Sequence, residues 1–300
     1  MKPNIVIAFE ECASADSLTL ASENANIPCF KAKGNERGLF EFTTHLDDEE
    51  FDMPRLLSSP TNIALILRTS GSTSKPKVVP IKMNALVSNS RIIAKNLGLK
   101  KEDVALNAMP LFHIGCLSSN LLSSLAAGAA VIIMESFDVI SFFNIVTKAE
   151  DVNLPKPTWY SAVPTMHATI CDVADNDKNL GKHTLRFIRS GAAALSVELG
   201  KRMEDIFGVH VVSTYSMTEQ MPISQPPTGI SMITEKPGSV GRSVATSMCI
   251  VDQNMRPLPL GSNKTGEICL SGPSVTEGYL ENEKANVNAY FLMGGMTWFR

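Results

Sequence analysis

Residues 68–77, reading RTSGSTSKPK, constrain this chain more than any other ten positions. From Thr69 to Ser74 every residue is glycine, serine or threonine, and Lys75, Pro76 and Lys77 follow. The apolar run at 62–68 leads in, and Val78, Val79, Pro80 and Ile81 lead out. A strand that opens into small hydroxyl residues, glycine and lysine suits a polyanion. Loop N–H groups and hydroxyls donate to phosphate oxygens, and a lysine adds charge. A flexible Ser/Gly linker that happens to carry lysines has the same composition. The loop alone does not separate the two.

It is not the phosphate loop of ordinary nucleotidases, because Gly71 is not followed at the right distance by Gly-Lys-Ser/Thr. The rest of the chain sets the frame. Its 300 residues, 44% of them hydrophobic, suffice for a substantial core in more than one subdomain. A net charge of −3 gives no electrostatic case for nucleic acid or an anionic membrane. Cys12, Cys29, Cys116, Cys171, Cys249 and Cys269 are scattered without C-x-x-C or metal-ligand spacing, which points to a reducing compartment. The apolar run at 5–9 ends in Glu10 and Glu11, so no signal peptide is expected. The stretch 121–134 holds two serines and is too short to span a bilayer. The expectation is a cytoplasmic protein. A peroxisomal address is the other option, because any carboxyl-terminal signal would lie beyond this chain.

Taken in order, 5–9 and 27–30 read as strands, 15–24 as a helix, and 31–60, with its acidic run at 47–50, as a solvated connector. Residues 82–98 read as a helix stopped by Gly98. A regular series follows. Strands are expected at 104–109, 129–134, 158–163, 185–190 and 210–215. Helices are expected at 116–126, 137–149, from Pro164 onward, and after a Ser196 cap. Five strand–helix alternations predict an α/β fold with a mostly parallel sheet covered on both faces. Ligands in such sheets bind beyond the carboxyl ends of the strands, where 110–115, 191–194 and 216–219 fall. Residues 221–229 read as loop, and 238–275 as a small antiparallel β unit.

Four segments, LRTSGSTSKPK, MPLFHIG (109–115), STYSMTEQ (213–220) and GEICLSGPSVTEGYLENE (266–283), stand in the order found in AMP-forming acyl-CoA synthetases and related adenylating enzymes. The chain resembles that superfamily from its first strand to its last residue. TWYSAVPTMH (158–167), LRFIRSGAAAL (185–195) and KPGSVG (236–241) look most like its oxalyl-CoA synthetase branch. The resemblance implies a partial adenylating core with subdomains at 1–100, 101–226 and 227–300. It implies ATP-dependent activation of a small carboxylic acid to an acyl-adenylate, then thioester formation with coenzyme A. The alternatives are acyl loading of a carrier protein and a non-catalytic nucleotide-binding remnant.

Both reactants of such an activation are anions, so catalysis rests on positioning and charge neutralisation. By resemblance, Thr69, Ser70, Gly71, Ser72, Thr73 and Lys77 wrap the outer phosphates. Thr69 and Glu219 hold Mg²⁺, and hard oxygen donors suit that ion. Thr218 reaches the α-phosphate, Tyr215 stacks on adenine within Tyr215-Ser216-Met217-Thr218, and Gly191, Ala192 and Ala193 pass their backbone beside the base. His113 lies at the acyl pocket. Lys77, Thr218, Glu219 and His113 form the implied catalytic set, whereas Lys75, His45, His167, His183 and His210 are read as ordinary surface or structural residues.

The chain departs from the oxalate branch where that branch has polar side chains. Gly115 replaces a second histidine, Ala192 lies in a segment that bears a serine there, and Met221-Pro222 replaces a histidine. A dicarboxylate needs polar partners for its second carboxylate, so these positions favour a less polar acid. Val78 stands where the family loop has glycine. The amino-terminal part is shorter than the family's, and the family continues past Arg300 into Thr-Gly-Asp, a hinge and a small domain with a catalytic lysine. A fragment with little activity alone is therefore expected.

Overall fold

The computed structural model describes residues 6–9, 29–34, 40–44, 62–69, 76–176 and 182–300. The helix expected at 15–24, the acidic run at 47–50 and loop residues Ser70, Gly71, Ser72 and Thr73 lie outside them. The chain divides into two units, 1–57 and 58–300.

In the first unit, β1 (Val6–Phe9), β2 (Cys29–Gly34) and β3 (Phe40–Thr44) form one sheet in that order, β1–β2 parallel and β2–β3 antiparallel. The last pair corrects the expectation of a connector throughout 31–60. A period of two, Phe30-Lys31-Ala32-Lys33 against Phe40-Glu41-Phe42, is enough to pair strands even where average polarity is high.

The second unit opens with β4 (Ile63–Arg68) and β5 (Val78–Lys82), paired antiparallel with Arg68 opposite Val78. The hydroxyl-rich stretch therefore connects a hairpin. Its ends are tied together: Thr69 N–H donates to the Lys77 carbonyl at 2.9 Å, and Lys77 N–H donates to Thr69 Oγ1 at 3.1 Å. Helix α1 (Met83–Leu97) follows and buries Ile93 and Leu97. It ends where Gly98 turns left-handed at φ 60° and gives its N–H to the last carbonyls, a conformation glycine adopts without a Cβ clash.

The core is a five-stranded parallel sheet of β6 (Val104–Asn107), β7 (Ala130–Ile133), β8 (Trp159–Ala162), β9 (Phe187–Ser190) and β10 (His210–Ser213). The order is β10-β9-β8-β6-β7, so the winding reverses between β6 and β8. Every residue of β6, β8 and β9 is buried, including the polar Asn107, Ser161, Arg189 and Ser190 toward their carboxyl ends. Connections run through α2 (Ile114–Cys116), a π-helical stretch Leu117–Leu122 and α3 (Ser123–Ala126), then α4 (Val139–Lys148), α5 (Pro164–Asn176) and α6 (Val197–Phe207). Asp138 and Ser196 cap α4 and α6 by accepting from Ser141 and Leu199 N–H groups.

One face of the sheet presents Leu106, Tyr160, Ile188 and Val211 to Phe142, Ile170, Met203 and Phe207. The other presents Ala105, Trp159, Phe187 and Val212 to Ile93, Leu97 and Ile114. Trp159 and Phe187 stack there with centroids 5.3 Å apart. Burying each such ring is worth about 2–3 kcal/mol.

At Thr214 the chain leaves the parallel sheet and begins an antiparallel one of β11 (Tyr215–Met217), β12 (Gln220–Gln225) and, after α7 (Met232–Glu235), β13 (Arg242–Ser243). Two expectations change here. Tyr215 starts a new strand rather than ending β10, and 220–225 is a fully buried strand, not loop. Pro222 is accommodated because the β11–β12 register shifts between Tyr215↔Ser224 and Met217↔Gln220, leaving its missing N–H off the ladder. The last sheet holds β14 (Ser247–Val251), β15 (Glu267–Ser271) and, after α8 (Glu283–Ala289), β16 (Tyr290–Met293) and β17 (Met296–Phe299), in the order β14-β15-β17-β16. Of the antiparallel unit expected at 238–275, Arg242–Ser243 pairs with β12 instead, and the rest extends to Phe299.

Candidate active site

Thr218 and Glu219 form the two-residue turn between β11 and β12, held by the Met217–Gln220 pair. The backbone carbonyl of Glu219 accepts from Thr276 N–H at 3.0 Å, which pins the turn to the segment before α8. Thr218 and Glu219 line a cleft of about 310 Å³ together with Lys82, Asn89, Ser118 and Tyr279.

Tyr279 joins this turn to the hydroxyl-rich hairpin. Its hydroxyl donates to Glu219 Oε1 at 2.7 Å, and the Lys77 ammonium lies 4.6 Å from its ring centroid. Burial, and then the adjacent Glu219 carboxylate, push the Tyr279 phenol well above its ordinary pKa, so it remains a donor. Asn286 fixes the backbone of Tyr279 from both sides, accepting from its N–H at 2.7 Å and donating to its carbonyl at 2.9 Å. Lys77 lines a second, open cleft with Arg300 and Lys284, and Tyr279 borders both clefts. Tyr279 was not among the expected site residues. Its signal was present in the sequence, because it follows Gly278 in the 266–283 motif.

Gly191 follows the carboxyl end of β9, and Tyr215 follows that of neighbouring β10 through Thr214. Thr214 N–H donates to the Ser190 carbonyl at 2.9 Å and keeps the two exits side by side. Gly191 is buried, and a Cβ there would lie 3.2 Å from both Arg189 Nη1 and Thr214 Oγ1. Ala192 and Ala193 are exposed, and Ala192 has φ 66°, a left-handed conformation that costs a residue with a Cβ. Tyr215 is also exposed, with Ser216 and Met217 half-buried after it. The result is an open shelf of bare backbone beside an aromatic ring.

His113 lies beyond the end of β6, exposed at the start of α2, its ring 4.5 Å from that of Phe112. The next residue, Ile114, lines the same cleft as Thr218, Glu219 and Tyr279. Behind the shelf, Arg189 is 2% exposed, and burial lowers its pKa to about 10.

The AMP-binding enzyme family profile matches residues 3–280. The chain belongs to this family of AMP-binding enzymes. The chain is similar to a probable CoA ligase of Humulus lupulus, 38% identical over 245 residues, and to the oxalate–CoA ligase of Arabidopsis thaliana, 37% identical over 247 residues. Each alignment covers 81% of this chain but only 45% and 46% of the relative, so the chain spans about half the length of these AMP-binding relatives. Among solved structures, ATP-bound MatB of Rhodopseudomonas palustris superposes with a TM-score of 0.77 at 21% identity, covering 99% of this chain and 56% of that one. That likeness shows the fold. The o-succinylbenzoate CoA synthetase of Bacillus subtilis, solved with its acyl-adenylate intermediate, gives a TM-score of 0.67 at 28% identity, covering 81% of this chain and 46% of that one.

Glu219 brings a half-buried carboxylate to the cleft beside Thr218, the kind of hard oxygen donor that magnesium takes. Among the described residues no three His, Cys, Asp or Glu side chains gather as a cation cage. Magnesium does not need one, since it takes one or two carboxylates and fills its octahedron with phosphate oxygens and water. No helix of the described residues is long and apolar enough to cross a membrane.

Proposed function

We propose that the whole protein activates a small carboxylic acid with ATP and passes the acyl group to coenzyme A. The observation that supports this most is the Lys77–Tyr279–Glu219 chain, which sets the hydroxyl-rich hairpin and the Thr-Glu turn at the two ends of one side chain. Lys77 and the loop N–H groups neutralise the outer phosphates, and Thr218 donates to the α-phosphate. Tyr215 and the bare backbone at 191–193 receive the adenine. Glu219, with Thr69 as a hydroxyl donor, would hold the magnesium that shields the triphosphate when bound. A carboxylate oxygen of the acid then bonds to the α-phosphorus as the α–β phosphoanhydride bond breaks, and pyrophosphate leaves. A thiolate displaces AMP from the acyl carbon in the second half-reaction. The named relatives are CoA ligases, which favours coenzyme A over a carrier protein as the thiol donor.

The test is acid-dependent exchange of labelled pyrophosphate into ATP. It is measured for this chain alone and for the chain joined to the carboxyl-terminal half of the Arabidopsis relative. The joined protein should exchange above its no-acid background, with Lys77→Ala and Glu219→Gln each losing most of the signal. Nucleotide binding without exchange in either protein would instead identify a non-catalytic binding remnant.

A further inference from the structure

The parallel sheet carries a buried polar row at its carboxyl end. Asn107, Ser161 and Arg189 are direct cross-strand partners on β6, β8 and β9, so their side chains share one face. The row beneath them, Ala105, Trp159 and Phe187, is apolar. Asn107 is satisfied, accepting from Asn120 and donating to the Met109 carbonyl, each at 2.8 Å. Arg189 is not. Its Nη1 donates to Ser161 Oγ at 3.1 Å, while Nε and Nη2 have no partner, and no carboxylate among the described residues pairs with it.

A buried cation without a counter-charge is expensive, and folds keep one where something else supplies the charge. The ionisable neighbour it does have, Cys116, is a buried thiol with its pKa raised to about 11 and stays neutral. The place is the one where open α/β sheets bind ligands: β6 and β8 flank the reversal of winding, and β9 is the next strand beyond β8. Arg189 Nη1 lies 3.2 Å from where a Cβ on Gly191 would stand, so the guanidinium packs against the first residue of the shelf.

We propose that Arg189 determines substrate specificity, pairing its free N–H groups with a second, non-reacting carboxylate of a short dicarboxylic acid. This rests on the adenylation reading above. It also reverses the expectation of a less polar acid drawn from Gly115, Ala192 and Pro222, because the missing polar partner comes from the strand, two residues before Gly191. A fork of parallel N–H donors matches a carboxylate in two-point fashion, which a lysine or an amide does not.

The test is equilibrium binding to this chain, by calorimetry and thermal shift, of oxalate and malonate against acetate and propionate, each with and without ATP and magnesium. The diacids should bind about tenfold to a hundredfold more tightly than the matched monoacids, the worth of one charge-assisted contact. Arg189→Met should abolish that preference while leaving monoacid binding in place, and Arg189→Lys should restore part of it. Equal affinity for diacids and monoacids in the wild-type chain, or no diacid binding at all, overturns the proposal without any variant. An Arg189→Met variant that folds by circular dichroism and keeps the preference also overturns it. ATP binding without diacid preference sinks this inference alone. Diacid preference without ATP binding sinks the adenylation reading and leaves Arg189 a carboxylate site.

Discussion

The Tyr279 hydroxyl donates to Glu219 Oε1 at 2.7 Å while the Lys77 ammonium sits 4.6 Å from the centre of the same ring. One residue therefore orients both a carboxylate and a cation by different parts of its side chain. The two parts separate by mutation. Tyr279→Phe keeps the ring and should lower stability by about 1 kcal/mol, the net value of one hydrogen bond. Tyr279→Ala also opens the cluster with Val79 and Phe299 and should cost about 3 kcal/mol. Urea melts of the two variants measure this, and equal losses would show that the ring contributes nothing.

Gly241 closes the KPGSVG motif at φ 84°, and a Cβ there would lie 2.2 Å from the backbone nitrogen of Pro226. Neither the conformation nor the space admits a side chain, and the obstructing atoms are backbone, which cannot rotate away. Gly241→Ala should destabilise by more than about 2 kcal/mol. Gly208→Ala is the control: its φ is 63° but nothing lies within 4 Å, so it should cost about 1 kcal/mol from conformation alone. Comparable melting temperatures for the two variants would contradict the packing argument.

The parallel core was legible in the sequence because β6, β8 and β9 are buried end to end and their helices carry caps and apolar spacing that need no tertiary information. The hairpin β2–β3 and the strand β12 were not, for two physical reasons. Mean polarity hides a period of two, and prolines signal loop even where a register shift absorbs the lost donor. At the site, Lys77, Thr218 and Glu219 were visible as motif residues. Tyr279 stood inside the 266–283 motif, but its partners Glu219 and Lys77 came beside it only in the fold, and Arg189 stood out only when strand pairing set Ser161 beside it.

Asp103 holds β6 to β9 from the amino-terminal end. Arg186 donates to it twice, from Nε at 2.9 Å and Nη2 at 2.6 Å, and Thr158 Oγ1 adds a third bond at 2.7 Å. Burial raises the Asp103 pKa, but these hydrogen bonds outweigh it and hold the group below its usual 3.8. Its ionised form thus adds stability that is complete above pH 3.8 and fades as pH falls through the lower folded value. Asp103→Asn should cost about 2 kcal/mol at neutral pH. That is less than the ~3–5 kcal/mol of a fully buried pair, because Arg186 is partly in water. Denaturant melts at pH 7 provide the measurement, and a neutral outcome would mean that the amide replaces the carboxylate without loss.

His167 supplies a separate acid sensitivity from the opposite face of the sheet. It lies buried on α5, with Nδ1 3.4 Å from the Tyr160 hydroxyl. Burial lowers its pKa from 6.5 to about 4, against a smaller opposing pull from the backbone of Ala162 and Arg189. The unfolded chain therefore takes up a proton below pH 6.5 that the folded chain refuses until about pH 4. More protons bound by the unfolded state means that stability rises with pH across this window. The term is complete above pH 6.5 and is lost as pH falls toward 4. The shift of 6.5 − 4 corresponds to a loss on the order of 3 kcal/mol. His167→Gln, which has no proton to gain, should flatten the stability–pH curve between pH 6.5 and 4 relative to the wild-type chain. Parallel slopes for the two proteins over that range would show that His167 titrates normally in the fold.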